Sequence, residues 1–229
     1  MSEPELRVVE DPAAAVAELL MEAAAAGGHV VLTGGSTPRR AYELAAERDA
    51  DWSAATVWFG DERCVPPEHP DSNYAMAEDA LLARLSSRPE VIRIEGELGP
   101  DAAAGGYEAE IRARLGGEPR WDLLLLGLGP DGHTASLFPG KPEVEEHSRL
   151  AVGVPLAGME PQVPRVSLTL PALNAARAVV FLVTGEEKAG AVARAFGPVP
   201  DTGLPSALVR PRYGSLAVIL DEAAASRLA

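Results

Sequence analysis

The chain has 229 residues, 47% of them hydrophobic and 24% charged, a composition with enough apolar mass for a sizeable core, unlike that of a disordered, collagenous or coiled-coil chain. Its 34 acidic against 20 basic side chains leave a net charge of −14, which repels phosphate backbones and anionic lipids, so neither nucleic acid nor a membrane is expected as a partner. The single cysteine, Cys64, rules out an internal disulfide framework and any cysteine-based zinc site and suits a reducing compartment.

The opening MSEPELRVVE lacks the basic and apolar regions of a secretory leader, and Glu18 and Glu22 interrupt the apolar stretch 13–26, so no leader or membrane span is expected. Short β-branched or aliphatic runs alternate with stretches of helical period. Strands are expected at 6–9, 29–33, 56–59, 91–94, 122–128, 150–154, 165–170, 178–183 and 215–220. Helices are expected at 12–26, 38–48, 72–85, 101–115 and 186–195. This rhythm predicts an α/β fold, a mostly parallel central sheet with helices on both faces. Asp11 before Pro12 and Thr37 before Pro38 read as capping side chains ahead of a proline in the first turn. With no polar linker and no repeat, one domain is expected over residues 1–229. The Pro/Gly-rich segments 64–71, 138–144 and 153–164 are expected to wall a site.

Three segments carry the chemistry. Leu32-Thr33-Gly34-Gly35-Ser36-Thr37-Pro38 runs from a strand through two glycines and two hydroxyls into a helix, a geometry that favours an anion, although it equally suits an ordinary tight βα turn. No Gly-Lys-Ser/Thr follows, so it is not a Walker loop. Gly60-Asp61-Glu62-Arg63-Cys64 places charges at the carboxyl end of a strand, where open α/β sheets bind ligands. Arg63 suits an anionic or polyhydroxy ligand there, and Asp61 suits sugar hydroxyls. A solvated, salt-bridged loop is the alternative, and Cys64 has no histidine motif to activate it.

The third segment is Leu124-Leu125-Leu126-Gly127-Leu128-Gly129-Pro130-Asp131-Gly132-His133-Thr134. Its glycines satisfy G-x-G-x-x-G, but Pro139, Gly140 and Pro142 cut short the helix that a dinucleotide fold needs. What remains is His133, an imidazole that takes and returns protons near neutrality, with Asp131 two residues away. His29, His69 and His147 are read as structural or merely exposed. Arg165 and Lys188 are both placed to reach the same end of the sheet and balance a phosphate; lysine occurs elsewhere only at 141.

Side by side, LTGGSTP at 32–38, GDERCVP with DSNY at 60–74, LLLGLGPDGHTASLFPG at 124–140, and RVSLTLPALNAA with FLVTGEEKA downstream closely resemble the 6-phosphogluconolactonases of the pentose phosphate pathway. Those enzymes are themselves similar to glucosamine-6-phosphate deaminases. The blocks stand in family order over nearly the whole chain. The resemblance implies a fold of the deaminase/ribose-phosphate-isomerase type, a modified Rossmann arrangement, and hydrolysis of 6-phospho-D-glucono-1,5-lactone with no metal or organic cofactor. It implies catalysis by His133, a phosphate cradle of Gly34, Gly35, Ser36, Thr37, Arg165 and Lys188, and a sugar-facing pair of Asp61 and Arg63. Asp131 is a candidate to orient His133, and the oxyanion donor is Arg63 or a backbone N–H of 129–132. The related deaminases carry a glutamate in a segment of the form IAFNEP after the DGH, where this chain reads Thr134-Ala135-Ser136-Leu137-Phe138-Pro139, which disfavours deamination. A binder of sugar phosphates without turnover is the alternative from another class. A cytoplasmic monomer is expected.

Overall fold

The computed structural model describes residues 3–48 and 50–228; Met1, Ser2, Asp49 and Ala229 lie outside them. In chain order the strands are β1 (Glu5–Val8), β2 (His29–Leu32), β3 (Thr56–Phe59), β4 (Asp61–Arg63), β5 (Glu90–Val91), β6 (Leu123–Leu126), β7 (Ala151–Val154), β8 (Arg165–Leu168), β9 (Ala178–Val183) and β10 (Ser215–Leu220). The helices are α1 (Pro12–Ala25), α2 (Ser36–Ala46), α3 (Asn73–Ala80), α4 (Pro100–Leu115), α5 (Leu170–Leu173), α6 (Ala189–Phe196), α7 (Pro205–Leu208) and α8 (Glu222–Ala225).

Seven strands form one sheet in the order β1-β10-β9-β6-β2-β3-β5, and every pairing in it is parallel. Such a sheet is covered on both sides, so its central strands are apolar at successive positions rather than alternating. β6, Leu-Leu-Leu-Leu, is buried at all four positions, whereas edge strand β1 is exposed at all four. From β2 the chain moves outward to β3 on one side, and from β6 it moves outward to β9 on the other. A crevice therefore opens at the carboxyl ends between β2 and β6, the place where such sheets bind ligands.

The expected alternation is corrected in one respect. Residues 150–154 and 165–170, read as members of the main sheet, form β7 and β8 of a separate antiparallel sheet, β4-β8-β7. The segment Asp61–Arg63, read as a charged loop, is its third strand. Gly60 turns the chain from one sheet into the other, and its N–H still reaches the Leu32 carbonyl at 2.8 Å. The expected helix at 72–85 stops at Ala80 and ends in a short 3-10 turn, Leu82–Arg84. That at 186–195 begins with a 3-10 turn, Glu186–Lys188, before α6.

Two buried tyrosines finish the strands beside the crevice. The Tyr42 hydroxyl, on α2, accepts from the Thr33 N–H at 2.9 Å and donates to the Thr33 carbonyl at 2.8 Å. The Tyr107 hydroxyl, on α4, does the same for Phe59, at 2.9 Å each way. Each phenol thus serves both polar groups of the residue at which a parallel strand outruns its neighbour on one side. Burial pushes both phenols well above the usual tyrosine range, so they stay neutral donors at any working pH. Replacing Tyr42 or Tyr107 by Phe leaves a buried N–H and C=O unpaired, and each substitution is expected to cost about 1–3 kcal/mol, read as a lower urea midpoint at unchanged slope.

Candidate active site

Three neighbouring strands, β9, β6 and β2, deliver three loops to the crevice. After β2, Gly35 serves as the N-cap of α2 with no side-chain cap hydrogen bond. Thr37 is therefore not the capping residue that its place before Pro38 suggested: the helix starts two residues earlier than expected, at Ser36, and the Thr37 hydroxyl pairs with that of Thr184 at 3.0 Å. The first-turn amides of α2 thus face the crevice with no side chain competing for them, and partial positive charge gathers there. Gly34 is required sterically, because a Cβ there would overlap the amide group of Asn73.

After β6 the chain makes a tight loop closed by Gly132 N–H to the Gly129 carbonyl (3.0 Å) and Gly129 N–H to the His133 carbonyl (2.9 Å). A side chain at Gly129 would collide with the His133 ring and the Asp131 carboxylate, so glycine is what allows that pair to fold back over the loop. His133 Nδ1 lies 2.6 Å from Asp131 Oδ1, which also accepts from the His133 backbone N–H at 3.1 Å. With the Nδ1 proton held by the carboxylate, Nε2 is the acceptor nitrogen. Burial works to raise the Asp131 carboxyl, but the hydrogen bonds and charge of His133 outweigh it and hold the group below its ordinary value. The imidazole packs on Phe138, 4.8 Å between centroids, and is 13% exposed. Beyond it the turn Thr134–Leu137 puts Ala135 at φ 47°, a left-handed conformation that costs a non-glycine residue roughly 1 kcal/mol or more.

β4 and β8 bring the remaining groups. Asp61 is opposite Ser167 and Arg63 is opposite Arg165, so two guanidinium groups face the cleft from one cross-strand pair. Arg63 donates to the Asp71 carbonyl at 2.6 Å. Arg165, 2% exposed, donates from one nitrogen to the carbonyls of Met159 and Pro161 and lies 5.5 Å above the Phe138 ring. The buried Nε of each arginine has no partner. Lys188 closes the third loop, after β9, whose Gly185 N–H is fixed by the Asp221 carboxylate at 3.0 Å. Burial lowers the Arg165 guanidinium and the Lys188 ammonium below their usual values, against the opposing pull of Asp61 and of Glu187 respectively. None of the ion pairs among the described residues involves Arg63, Arg165 or Lys188. Buried or half-buried cations without a carboxylate partner are costly on their own and suit an incoming anion.

These groups line one cleft of about 540 Å³. Of the ten residues singled out in the sequence, nine line it: Gly34, Gly35, Ser36, Thr37, Asp61, Arg63, His133, Arg165 and Lys188. Asp131 stands behind His133 instead. Among the expected walls only 153–164 enters the cleft, through Met159 and Glu160; Phe138 lies under His133, and Asp71 contributes only its carbonyl to Arg63. Cys64 is half-buried away from the cleft, its thiol pushed up to about 11 by burial and by the Glu62 charge. His29 accepts from the Trp58 indole at 3.1 Å and is structural. Among the described residues no group of three or more His, Cys, Asp or Glu is placed to hold a metal ion.

Glu62 was missed. Its buried carboxylate accepts from the Arg63, Asn73 and Tyr74 amides at 2.7, 2.7 and 2.8 Å and from the Ser72 hydroxyl at 3.0 Å. It thereby ties the first turn of α3 to β4 and brings Asn73 to the cleft. Burial raises the carboxyl above its ordinary value despite those four donors. The sequence signal was present, in that Ser72 and Asn73 form a helix start ten residues on, but a contact between two segments is not legible from either alone.

The profile of the family described as glucosamine-6-phosphate isomerases/6-phosphogluconolactonase matches residues 5–218. The chain is 44% identical over 176 residues to a 6-phosphogluconolactonase of Homo sapiens, covering 76% of this chain and 68% of that protein. It is 40% identical over 238 residues to one of Streptomyces coelicolor, covering 96% and 90%. Among solved structures, 6-phosphogluconolactonase from Trypanosoma cruzi superposes with a TM-score of 0.87 at 32% identity, over 100% of this chain and 98% of that one. With the fold, the loop order and the sequence in agreement, the chain belongs to the glucosamine-6-phosphate isomerase/6-phosphogluconolactonase family.

Proposed function

We infer that this protein hydrolyses 6-phospho-D-glucono-1,5-lactone to 6-phospho-D-gluconate, a step of the pentose phosphate pathway. Its relatives carry that activity in their names. Within the site the observation that carries the reading is the Asp131–His133 pair, 2.6 Å apart, on one loop of a cleft whose other loops present helix amides and cations with no carboxylate in ion-pair contact. A base and an anion cradle on different loops of one cleft suit a substrate that carries both a phosphate and a reacting carbonyl.

In this reading Asp131 holds the proton of His133 Nδ1, and Nε2 removes a proton from the water that attacks C1. The resulting imidazolium returns the proton to the ring oxygen as the C1–O bond opens. Asp131 stabilises the transient charge and fixes the tautomer. The tetrahedral oxyanion needs a donor already in place. In the 129–132 loop the Gly129 and Gly132 amides are bonded within the loop and Pro130 has none, which leaves the Asp131 N–H and Arg63 as the donors for that role. The α2 amides, Ser36, Thr37, Lys188 and Arg165 hold the phosphate, and its binding energy orients C1 against the water. Asp61 accepts from sugar hydroxyls. The ester is activated and needs no covalent nucleophile, and the mechanism asks for neither a metal nor an organic cofactor. Among the described residues no helix is long and apolar enough to cross a membrane, and we place the enzyme in the cytoplasm as a monomer.

Proton release from freshly generated lactone in a weak buffer tests the reading directly. Wild type is expected to accelerate it and His133→Ala to lose about 10²–10⁴ in kcat; a folded wild type that binds the lactone without releasing acid would identify a sugar-phosphate binder. Lys188→Met is expected to raise KM at least about tenfold, the loss of one charge-assisted contact, with a smaller change in kcat. The lowered Lys188 ammonium also sets a pH dependence. Affinity for the product 6-phosphogluconate should fall as pH rises through a value below the ordinary 10.5 of lysine, since the charged form binds the phosphate, and calorimetric titration of Lys188→Arg should move that fall to higher pH.

A further inference from the structure

Asp61 is held on both of its oxygens. The Ser136 hydroxyl donates to Oδ2 at 2.6 Å, and the Asn73 amide donates to Oδ1 at 3.1 Å and to the Asp61 carbonyl at 2.9 Å. Ser136 is itself fixed. Its N–H donates to the Ser167 hydroxyl at 3.1 Å, and that hydroxyl's single proton is committed to the Leu168 carbonyl at 2.9 Å. Ser136 and Ser167 are almost completely buried, so water does not compete for these bonds.

Two consequences follow. First, a carboxylate already receiving one donor on each oxygen offers the cleft only its remaining lone pairs, so it recognises ligand hydroxyls and does not donate to ligand acceptors. Second, Ser136 stands three residues after His133 on the same loop, beyond the left-handed Ala135. Its bond to Asp61 therefore locks the group that faces the ring to the loop that carries the base. Thr134 secures the near end of that loop through its hydroxyl bond to the Gly127 carbonyl at 2.9 Å.

We propose that Ser136 is a positioning residue that makes the site selective for polyhydroxylated lactones, by holding the Asp61 carboxylate as a fixed acceptor for one ring hydroxyl in register with His133. The proposal rests on the lactonase reading above and adds the group that enforces substrate choice. A site built to receive a hydroxyl rejects the analogue that lacks it far more strongly than a merely apolar pocket rejects a change of size.

The test is kcat/KM on 6-phosphogluconolactone and on its 2-, 3- and 4-deoxy analogues, for wild type, Ser136→Ala and Ser136→Cys, with thermal unfolding recorded for each. Wild type is expected to disfavour one deoxy lactone by about 10²-fold or more. Ser136→Ala should lose about 10–100-fold on the parent lactone, mainly in KM, and less than about threefold on that same deoxy analogue, so that discrimination collapses; this is the coupling expected of groups that act together. Ser136→Cys keeps the volume with a weaker donor and should fall between the two. It carries the comparison alone should the alanine variant not fold. An equal loss on every lactone, no loss at all, or a wild type indifferent to every ring hydroxyl overturns the proposal while leaving the lactonase reading intact. A folded wild type that accelerates no lactone overturns that reading instead, and the proposal with it.

Discussion

A parallel strand that outruns its neighbour on one side must leave the polar groups of its last residue on that side unpaired, and in this protein that deficit is met by two phenols. Tyr42 and Tyr107 bond the N–H and the carbonyl of Thr33 and Phe59. Two chains are thereby free to turn in different directions. After Thr33 the backbone passes through Gly34 and Gly35 into α2 and exposes amides to the cleft. After Phe59 it passes through Gly60 into a second sheet that carries Asp61 and Arg63. Without partners at these two residues the chain ends would seek one another or water, and the cleft would lose the fixed floor on which its geometry depends.

The electrostatics follow the same division between framework and site. The acidic excess of the chain lies on the outside, where arginines such as Arg88, Arg112 and Arg194 pair with nearby carboxylates. Exposed pairs of this kind contribute little to stability. Inside the cleft the pattern differs: Arg63, Arg165 and Lys188 have no carboxylate in ion-pair contact, although Asp61, Glu160, Glu187 and Asp221 also line it, and among the described residues the one such contact there is that of His133 with Asp131. Cations without a carboxylate partner thus share the cleft with a histidine that has one.

Much of this was legible in the sequence because it depends on local pattern. Strand positions followed from apolar runs, and Asp11 is the N-cap it was read to be, accepting from the Ala14 N–H at 3.0 Å. The three glycine-bearing segments all reached the cleft, since each follows a strand that ends at the same side of the sheet. What the sequence did not disclose depends on pairing between distant segments. β4 is only three residues long and strongly charged, so nothing in its composition separates it from a loop; it is a strand because β8 lies alongside it. The roles of Glu62, Asn73 and Ser136 likewise exist only across segment boundaries, at separations of 10 to 75 residues. Thr37 shows the converse, a correct capping pattern overridden by a tertiary hydroxyl partner.

Phe138, Val154 and Ala157 form a small apolar cluster of their own, separate from the main core, and the segment that roofs the cleft through Met159 and Glu160 is seated on it. The floor, in contrast, is continuous with the largest buried side chains of the protein. Phe138 also carries the His133 ring, and the Met159 and Pro161 carbonyls hold the buried Arg165. Roof and base thus share one small support: a change within 155–163 that disturbs the contacts of Ala157 or Gly158 with Phe138 is felt at His133 without touching the main core. The segment can vary only where it leaves those contacts in place.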